Sequence, residues 1–386
     1  MQKVLERDWR TTFLPQFQAC VRAGSYSFMC SYNRINGVPA CANKKLLTDI
    51  LRGEWGFEGY VVSDEGALEL IMLGHHYTRT FLETAVASMN AGCNLELSYG
   101  MRNNVFMHIP QALAMGNITL QMLRDRVRPL FYTRMRLGEF DPPAMNPYST
   151  LDLSAVQSPE HRNLSLEAAV KSFVLLKNVR GTLPLRARDL AAGLAIARVL
   201  LGEAGANPAG RLPATWPAGM HQVPPMENYT MEGRTYRYYG QEAPLYPFGY
   251  GLSYTTFQYR DLVLSPPALP VCANLSVSVV LENTGQRDGE EVVQLYLRWE
   301  QSSVPVPRWQ LVAFRRVAVL AGRETKLSFQ VVAEQRAIWA QDWHLEPGTF
   351  TLFVGGQQPG QQMRVPSEVL SARFTVTGAA RPLRGC

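Results

Sequence analysis

The chain has 386 residues and a net charge of +6, and its 46% hydrophobic and 18% charged residues are ordinary for a soluble globular protein of two or three domains. Lys and Arg are scattered along the chain, which argues against the basic stripe of a nucleic-acid-binding protein. No apolar stretch approaches the roughly 18 residues of a membrane-spanning helix, and the charged start MQKVLERDW predicts a helix and no signal peptide.

Predicted helices and strands alternate over the first third of the chain. Apolar spacing predicts helices at 8–23, 44–52, 81–91 and 119–137, the last broken or kinked at Pro129. Strands are predicted at 27–32, 60–64 and 94–97. This alternation is typical of a parallel α/β fold. It supplies about three units, whereas a full eight-fold barrel needs about 250 residues, so we expect a partial barrel.

One predicted strand carries a carboxylate at its end. The apolar run 60–62 precedes Ser63, Asp64 and Glu65, just before a glycine. A continuous apolar run is typical of a strand that is buried on both faces in a parallel sheet. In barrels of parallel strands, catalytic groups lie where the strands end, so Asp64 is a candidate nucleophile or general base. The alternative role for Asp64 is the cap of the following helix.

The later part of the chain changes character twice. A linker is predicted at Pro142 and Pro143, and apolar spacing predicts a helix at 164–178. Residues 205–256 are rich in Gly, Pro and aromatic residues. From Phe257 onward apolar and polar residues alternate, as at 275–281, and turn signals separate the segments. Several such strands predict a β-sandwich.

Several motifs resemble glycoside hydrolase family 3, in its branch of β-xylosidases and α-L-arabinofuranosidases. MCSYNRINGVPACAN and LRGEWGFEGYVVSD are similar to the nucleophile region of that family. The resemblance resumes in AAVKSFVLLKN, NPAGRLPATWP, GRTYRYYG and YPFGYGLSYTTF. VVLENTGQRDGEEVVQLYL is similar to the fibronectin type III-like domain that closes many members. These segments follow the family's own order.

The resemblance implies an α/β plus all-β protein in three parts. They are a partial TIM-like (β/α) barrel with the nucleophile at 1–143, the remnant of an α/β sandwich domain with a connecting segment at 144–256, and a fibronectin type III-like β-sandwich at 257–378. We expect the chain to open inside the barrel and the middle domain to be shortened between Leu185 and Gly193. The Lys-His pair with which the family grips the sugar has no counterpart, because the sequence contains no Lys-His dipeptide.

The resemblance also assigns roles to individual residues. Asp64 matches the nucleophile of a retaining hydrolysis, whereas the family's acid/base Glu falls in the stretch that is absent here. Tyr32 matches a position beside the sugar; its alternative is a packed core tyrosine. Glu65 stands where the family commonly has Cys or Trp, and it should point away from Asp64 because successive strand residues face opposite sides. Glu96 is expected in barrel packing or a hydrogen-bond network.

The cysteines and histidines lack the spacing of a metal site, and we expect no metal and no cofactor. Cys30 and Cys41 match a pair that is found in similar xylosidase-like sequences, and a bridge between them would stabilise the fold by about 3 kcal/mol. The alternative is two buried thiols of a cytosolic protein. Candidate glycosylation sites are Asn117, Asn163, Asn228 and Asn274, which favour a secretory origin.

Three functions therefore compete. The chain is an active β-xylosidase or arabinofuranosidase, a catalytically impaired form of one, or a sugar-binding or structural module. The missing acid/base favours the second for this chain alone. A carbohydrate substrate is the expected partner, with neither nucleic acid nor a membrane, and the family implies an extracellular or secretory location. The choice among xylose, arabinose and glucose stays open, as does the oligomeric state.

Overall fold

The computed structural model describes residues 3–98, 100, 104–185, 193–240, 242–361 and 368–386. The chain divides into two compact units. Unit 1 comprises Met1–Asp152 and Met226–Thr230, and unit 2 comprises Leu153–Pro225 and Met231–Cys386. Within the described ranges, no helix combines the length and the apolar character that crossing a membrane requires.

Unit 1 is built around a small parallel sheet. Strands β1 (Ser27–Cys30) and β4 (Tyr60–Ser63) pair in parallel, with Cys30 opposite Ser63. Between them in sequence, β2 (Arg34–Ile35) and β3 (Val38–Pro39) form a short hairpin. The strand predicted at 94–97 is reduced to one parallel bridge between Leu95 and Val62, because the Asn94 side chain takes the Val61 N–H that a longer strand would bond through its backbone.

Helices cover one face of this sheet. They are α1 (Glu6–Asp8), α2 (Pro15–Arg22), α3 (Ala67–Leu73), α4 (Phe81–Ala91), α5 (Ile109–Ala114) and α6 (Leu120–Arg136), with π-helical segments at Trp9–Phe13 and Lys45–Glu54 and 3₁₀ turns at Ala40–Ala42, Val105–His108 and Pro143–Met145. The predicted helices at 8–23, 44–52 and 81–91 are confirmed within a few residues. The helix predicted at 119–137 is also confirmed, and it is not broken at Pro129, because α6 runs through that residue. Pro129 removes one backbone donor from the helix, and Thr119 caps its N-terminus through the Met122 N–H.

Burial alternates along β4. Val61 and Ser63 are buried, and Val61 joins the apolar cluster formed with the surrounding helices, whereas Tyr60 and Val62 are only half-buried. The same alternation leaves Met29 of β1, opposite Val62, 59% exposed. The two faces of the sheet therefore differ: one packs on helices, and the other is accessible in this chain.

Unit 2 ends in a β-sandwich, as predicted. Its strands are β5 (Phe257–Ser265), β6 (Ala268–Pro270), β7 (Leu275–Asn283), β8 (Gly289–Trp299), β9 (Gln310–Val319), β10 (Glu324–Val331), β11 (Ile338–Trp339), β12 (Trp343–Leu345), β13 (Gly348–Gly355), β14 (Val369–Thr377) and β15 (Arg381–Pro382). One sheet has the order β10-β7-β5 and the other β6-β14-β13-β8-β9, and a small third sheet joins β11, β12 and β15. The alternating apolar residues of β7 lie in the core between the two main sheets.

The part of unit 2 before the sandwich has little regular structure. Its helices are α7 (Pro159–Ser172), α8 (Leu194–Leu201) and α9 (Thr235–Tyr238), with 3₁₀ turns at Leu153–Ala155, Val179–Gly181 and Met220–Gln222. The helix predicted at 164–178 is displaced toward the N-terminus, because Ser158 caps it through the His161 N–H and Phe173 turns to extended backbone. In the described part of 153–256 we find β-bridges but no β-strands. Residues 186–192, where we expected the shortened domain to be joined, lie outside the described residues.

A buried ion pair attaches this segment to the sandwich. Arg211 donates from Nη2 to Glu291 Oε1 of β8 at 2.8 Å, and the two side chains are 9% and 2% exposed. Arg211 also reaches the carbonyl of Gly356, and Gln294 of β8 donates to the carbonyls of Gly249 and Gly356. Burial raises the pKa of Glu291, and the Arg211 guanidinium opposes that shift.

We predict that Arg211→Met lowers the free energy of unfolding by about 3–5 kcal/mol, because it leaves Glu291 buried without its cation. The pKa of Glu291 is higher in the folded than in the unfolded state, so ionisation of Glu291 opposes folding. The free energy of unfolding therefore falls as the pH rises from the unfolded-state pKa to the folded-state pKa. The loss should therefore be larger in neutral than in mildly acidic buffer, measured by urea unfolding.

The matched control is Arg316→Met, which removes the neighbouring, partly exposed pair with Glu290 and should cost less than about 1 kcal/mol. Adding Glu291→Gln to Arg211→Met should recover part of the stability. Equal losses in the two arginine variants would contradict this account of the buried pair.

Candidate active site

The turn after β4 places Asp64 at the carboxyl end of the parallel sheet. The Asp64 N–H donates to the Cys30 carbonyl at 3.0 Å, and the Asp64 carbonyl accepts from the Ala67 N–H at 2.9 Å. Gly66 has φ +75°, a conformation that favours glycine, and its N–H donates to the Leu97 carbonyl at 2.9 Å. The backbone on both sides of Asp64 is thereby fixed.

Asp64 follows the alternation of β4 onto the accessible face of the sheet. Val61 and Ser63 face the helices, so Asp64 shares the side of Tyr60 and Val62 and is half-buried. Its Oδ1 accepts the Glu65 N–H at 2.8 Å. The alternative role as a helix cap is not what we observe at α3, where Gly66 occupies the cap position without a side-chain bond.

Tyr32 lies beside this turn. Its hydroxyl donates to the Glu65 carbonyl at 2.8 Å, and the residue is 41% exposed, so it is not packed in the core. The Tyr32 carbonyl contacts His75 Nε2 at 2.6 Å, and Arg34 donates to the His75 carbonyl. The sequence analysis missed His75 and Arg34, because only the fold brings the end of α3 next to the loop after β1.

The neighbouring acidic residues have different environments. Glu65 is exposed, and Glu96 accepts the N–H groups of Val105 and Phe106 at 2.7 Å, which is the hydrogen-bond role expected for it. Burial raises the pKa of Glu96, the two N–H bonds oppose this, and the charge of Glu69 adds to the rise.

Glu69 was not recognised in the sequence. It is 1% exposed on α3, and its Oε1 accepts from the Ser98 hydroxyl at 2.9 Å, whereas its Oε2 has no partner among the described residues. A charged residue inside the apolar pattern of α3 was the available signal.

Asn94 holds β4 in place from the following segment. Its Oδ1 accepts from the Val61 N–H and from Arg52 Nη2, both at 2.8 Å, and its Nδ2 donates to the Arg126 carbonyl at 2.6 Å. Burial lowers the pKa of Arg52 to about 10, and the nearby Arg126 contributes to the shift. This network fixes the strand that ends at Asp64.

The cysteines form two disulfide bonds. Cys30 and Cys41 are bonded with their Cα atoms 5.1 Å apart, so the carboxyl end of β1 is tied to the turn after β3. Cys272 and Cys386 form a second bond that the sequence analysis missed, because a separation of 114 residues gives no local signal. Of the other two cysteines, Cys20 is exposed and Cys93 is buried, and burial raises the pKa of the Cys93 thiol to about 12.

All four candidate glycosylation sites lie at the surface. Asn117, Asn163, Asn228 and Asn274 are exposed. The side-chain carbonyl of Asn274 accepts the Ala333 N–H at 3.1 Å. Among the described residues, no group of three His, Cys, Asp or Glu side chains is arranged to hold a metal ion.

Three family models match the chain in succession. Residues 2–131 match the glycosyl hydrolase family 3 N-terminal domain, and residues 189–254 match the C-terminal domain of the same family. The chain belongs to glycosyl hydrolase family 3. Residues 291–358 match a fibronectin type III-like domain, which lies within the observed β-sandwich.

The relatives of this family 3 chain include glucosidases and xylosidases. The periplasmic β-glucosidase of Salmonella typhimurium is 25% identical over 528 residues, covering 89% of this chain and 68% of that protein. The probable exo-1,4-β-xylosidase bxlB of Aspergillus clavatus is 39% identical over 191 residues, covering 48% of this chain and 24% of that protein. The first alignment is longer than the chain itself, so the chain lacks internal segments of that relative. The chain spans about a quarter of the xylosidase's length.

Solved glycosidase structures share the fold. The β-glucosidase of Listeria innocua in complex with glucose superposes with a TM-score of 0.84 at 22% identity, covering 98% of this chain and 71% of that one. A GH3 exo-β-xylosidase in complex with a xylobiose aziridine activity-based probe gives a TM-score of 0.84 at 20% identity, covering 99% and 70%. The predicted α/β plus all-β fold class is confirmed.

We predict that replacing Cys30 and Cys41 together with Ser lowers the free energy of unfolding of unit 1 by about 3 kcal/mol, because the denatured chain loses a covalent loop. Chemical denaturation followed by tryptophan fluorescence measures the change. Cys20→Ser, at the exposed free cysteine, is the control and should have almost no effect. A double variant as stable as the unmodified chain would show that this bond does not stabilise unit 1.

Proposed function

We propose that this chain is a retaining glycoside hydrolase of the β-xylosidase type, acting on the non-reducing ends of β-xylosides such as xylan-derived oligosaccharides, or on α-L-arabinosides. The observation that carries the proposal is the position of Asp64 at the carboxyl end of β4, on the face away from the helices. Barrel enzymes of parallel strands place their catalytic groups at that end. The 39% sequence identity to a probable xylosidase, over 48% of this chain, supports the substrate class.

In the proposed reaction, a carboxylate oxygen of Asp64 attacks the anomeric carbon and the bond to the leaving oxygen breaks. The leaving oxygen takes a proton from an acid, and a water molecule then hydrolyses the glycosyl ester to release the sugar and restore the carboxylate. The N–H of Glu65 donates to Oδ1 and orients the carboxylate. Tyr32 supports the turn through the Glu65 carbonyl and borders the sugar.

We further propose that the chain by itself is catalytically impaired, because we assign none of its residues as the general acid that protonates the leaving oxygen. Glu65 is exposed and lies in the turn that follows β4. Both oxygens of Glu96 accept backbone N–H groups. A chain with the nucleophile alone would act at most slowly, or serve as a sugar-binding or structural module.

A secretory origin completes the proposal. The two disulfide bonds are typical of oxidising compartments, and the exposed sequons are accessible to glycosylation.

We predict that a 2-deoxy-2-fluoro-β-xylosyl fluoride labels Asp64 covalently, because fluoride leaves without protonation and the fluorine slows hydrolysis of the ester. Intact-mass analysis and peptide mapping would locate the adduct. Asp64→Asn should not react, whereas Glu65→Gln, one residue away, should react normally. Labelling that moves to another carboxylate would reject Asp64 as the nucleophile.

We predict that hydrolysis of an aryl β-xyloside is at least about 10³-fold slower than with a full-length family member, since loss of general acid assistance alone costs a factor of about 10² to 10⁴. Xylobiose, whose leaving group needs a proton, should show no turnover. Release of xylose from both substrates would be measured with the purified chain and with Asp64→Asn. Normal turnover of xylobiose would mean that another residue serves as the acid.

A further inference from the structure

Unit 2 contains a cavity whose lining residues all belong to that unit. It has a volume of about 120 Å³ and lies where the loop before β9 and the loop after β13 meet the segment around α9. Tyr239 and Trp309 form apolar walls. A cavity of this size is comparable with one that holds a single six-membered ring.

The walls of this cavity are held rigidly. Tyr236 stacks on Phe248 with ring centroids 4.2 Å apart, and its hydroxyl accepts the Leu311 N–H at 3.0 Å. The Tyr239 hydroxyl donates to Gln222 at 2.6 Å, and Trp309 is 7% exposed beneath Arg308. The cavity is therefore formed before any ligand arrives, as is usual for small-molecule sites.

Two residues of the lining each carry a buried oxygen without a hydrogen-bond partner among the described residues. These atoms are Thr215 Oγ1 and Gln358 Oε1. A buried polar atom without a partner is unfavourable, so a ligand that supplies a donor to it gains binding energy. The Gln358 oxygen is an acceptor and needs a donor, which an inorganic anion without hydroxyl groups does not offer.

The charges around the cavity are balanced. Arg308 and Glu242, one positive and one negative, both line it and are exposed. A ligand of either charge would be attracted by one group and repelled by the other. The lining therefore favours a neutral ligand that combines hydroxyl donors with an apolar ring face to pack against aromatic rings.

We propose that this cavity is an accessory binding site for one neutral pyranose ring, in which Tyr239 and Trp309 pack against the sugar and Thr215 and Gln358 bond its hydroxyl groups. Binding here involves no bond cleavage. It would hold a saccharide end on unit 2 whether or not Asp64 is active, so the two proposals fail independently.

The test uses the full chain labelled with 5-fluorotryptophan and observed by ¹⁹F NMR. Trp309→Phe assigns the Trp309 signal among the seven tryptophans. D-xylose should shift this signal saturably, and glycerol, which has hydroxyl groups but no ring, should not. The shift should persist in Asp64→Asn, which separates this site from the catalytic one.

Thr215→Val and Gln358→Leu should each weaken binding by about fivefold or more, as expected for one lost hydrogen bond. Tyr239→Ala should weaken it further. The matched control Gln330→Leu, on the exposed face of β10, should leave binding unchanged, and the other tryptophan signals report whether each variant is folded. The proposal is overturned if xylose leaves Trp309 unshifted, if glycerol shifts it equally, or if folded Thr215 and Gln358 variants bind xylose as before.

Discussion

The parallel pairing of β1 with β4 is the constraint on which the whole Asp64 site depends. Because side chains alternate along a strand, the register that sets Cys30 opposite Ser63 also decides which face Asp64 occupies. A slip of one residue would turn the carboxylate into the helix-facing core. The register is held from both sides, by the disulfide at Cys30 and by Asn94, which bonds the Val61 N–H in the middle of β4. The site is thus a product of backbone pairing more than of contacts made by the Asp64 side chain.

In unit 2, a few buried polar contacts hold the segment before the sandwich in place. The glycine- and proline-rich segment before the sandwich has almost no secondary structure to place it. Arg211 and Gln294 bond backbone carbonyls that have no helix or sheet partner, and Glu291 supplies the countercharge for Arg211. Gly249 leaves room for this arrangement, since a Cβ there would lie 2.3 Å from Gln294 Oε1. Buried polar groups carry a desolvation cost, and here they give the segment a defined path.

Sequence reasoning succeeded where local signals agree with the fold. Apolar spacing predicted helix α4 correctly at both ends, and the structure shows that Thr80 caps it and Gly92, with φ +112°, ends it. Alternation likewise found β7. The predicted bounds were wrong for the helix at 164–178, because Ser158 caps the helix earlier in the chain. They were also wrong for the strand at 94–97, because the Asn94 side chain replaces a backbone partner of β4. The Arg211–Glu291 pair, the long-range disulfide and the cavity around Trp309 join residues far apart in sequence, so no local pattern could reveal them.

The bond between Cys272 and Cys386 makes the sandwich a covalent ring. Strands β7 to β15 all lie between the two cysteines. If a protease cuts one loop inside the ring, the two pieces remain parts of one molecule, and the severed strands can still find their neighbours at high effective concentration. Reduction of the bond removes this protection, and the same cut then separates the C-terminal piece from the rest of the chain. The survival of a nicked sandwich is therefore set by the redox state of its surroundings.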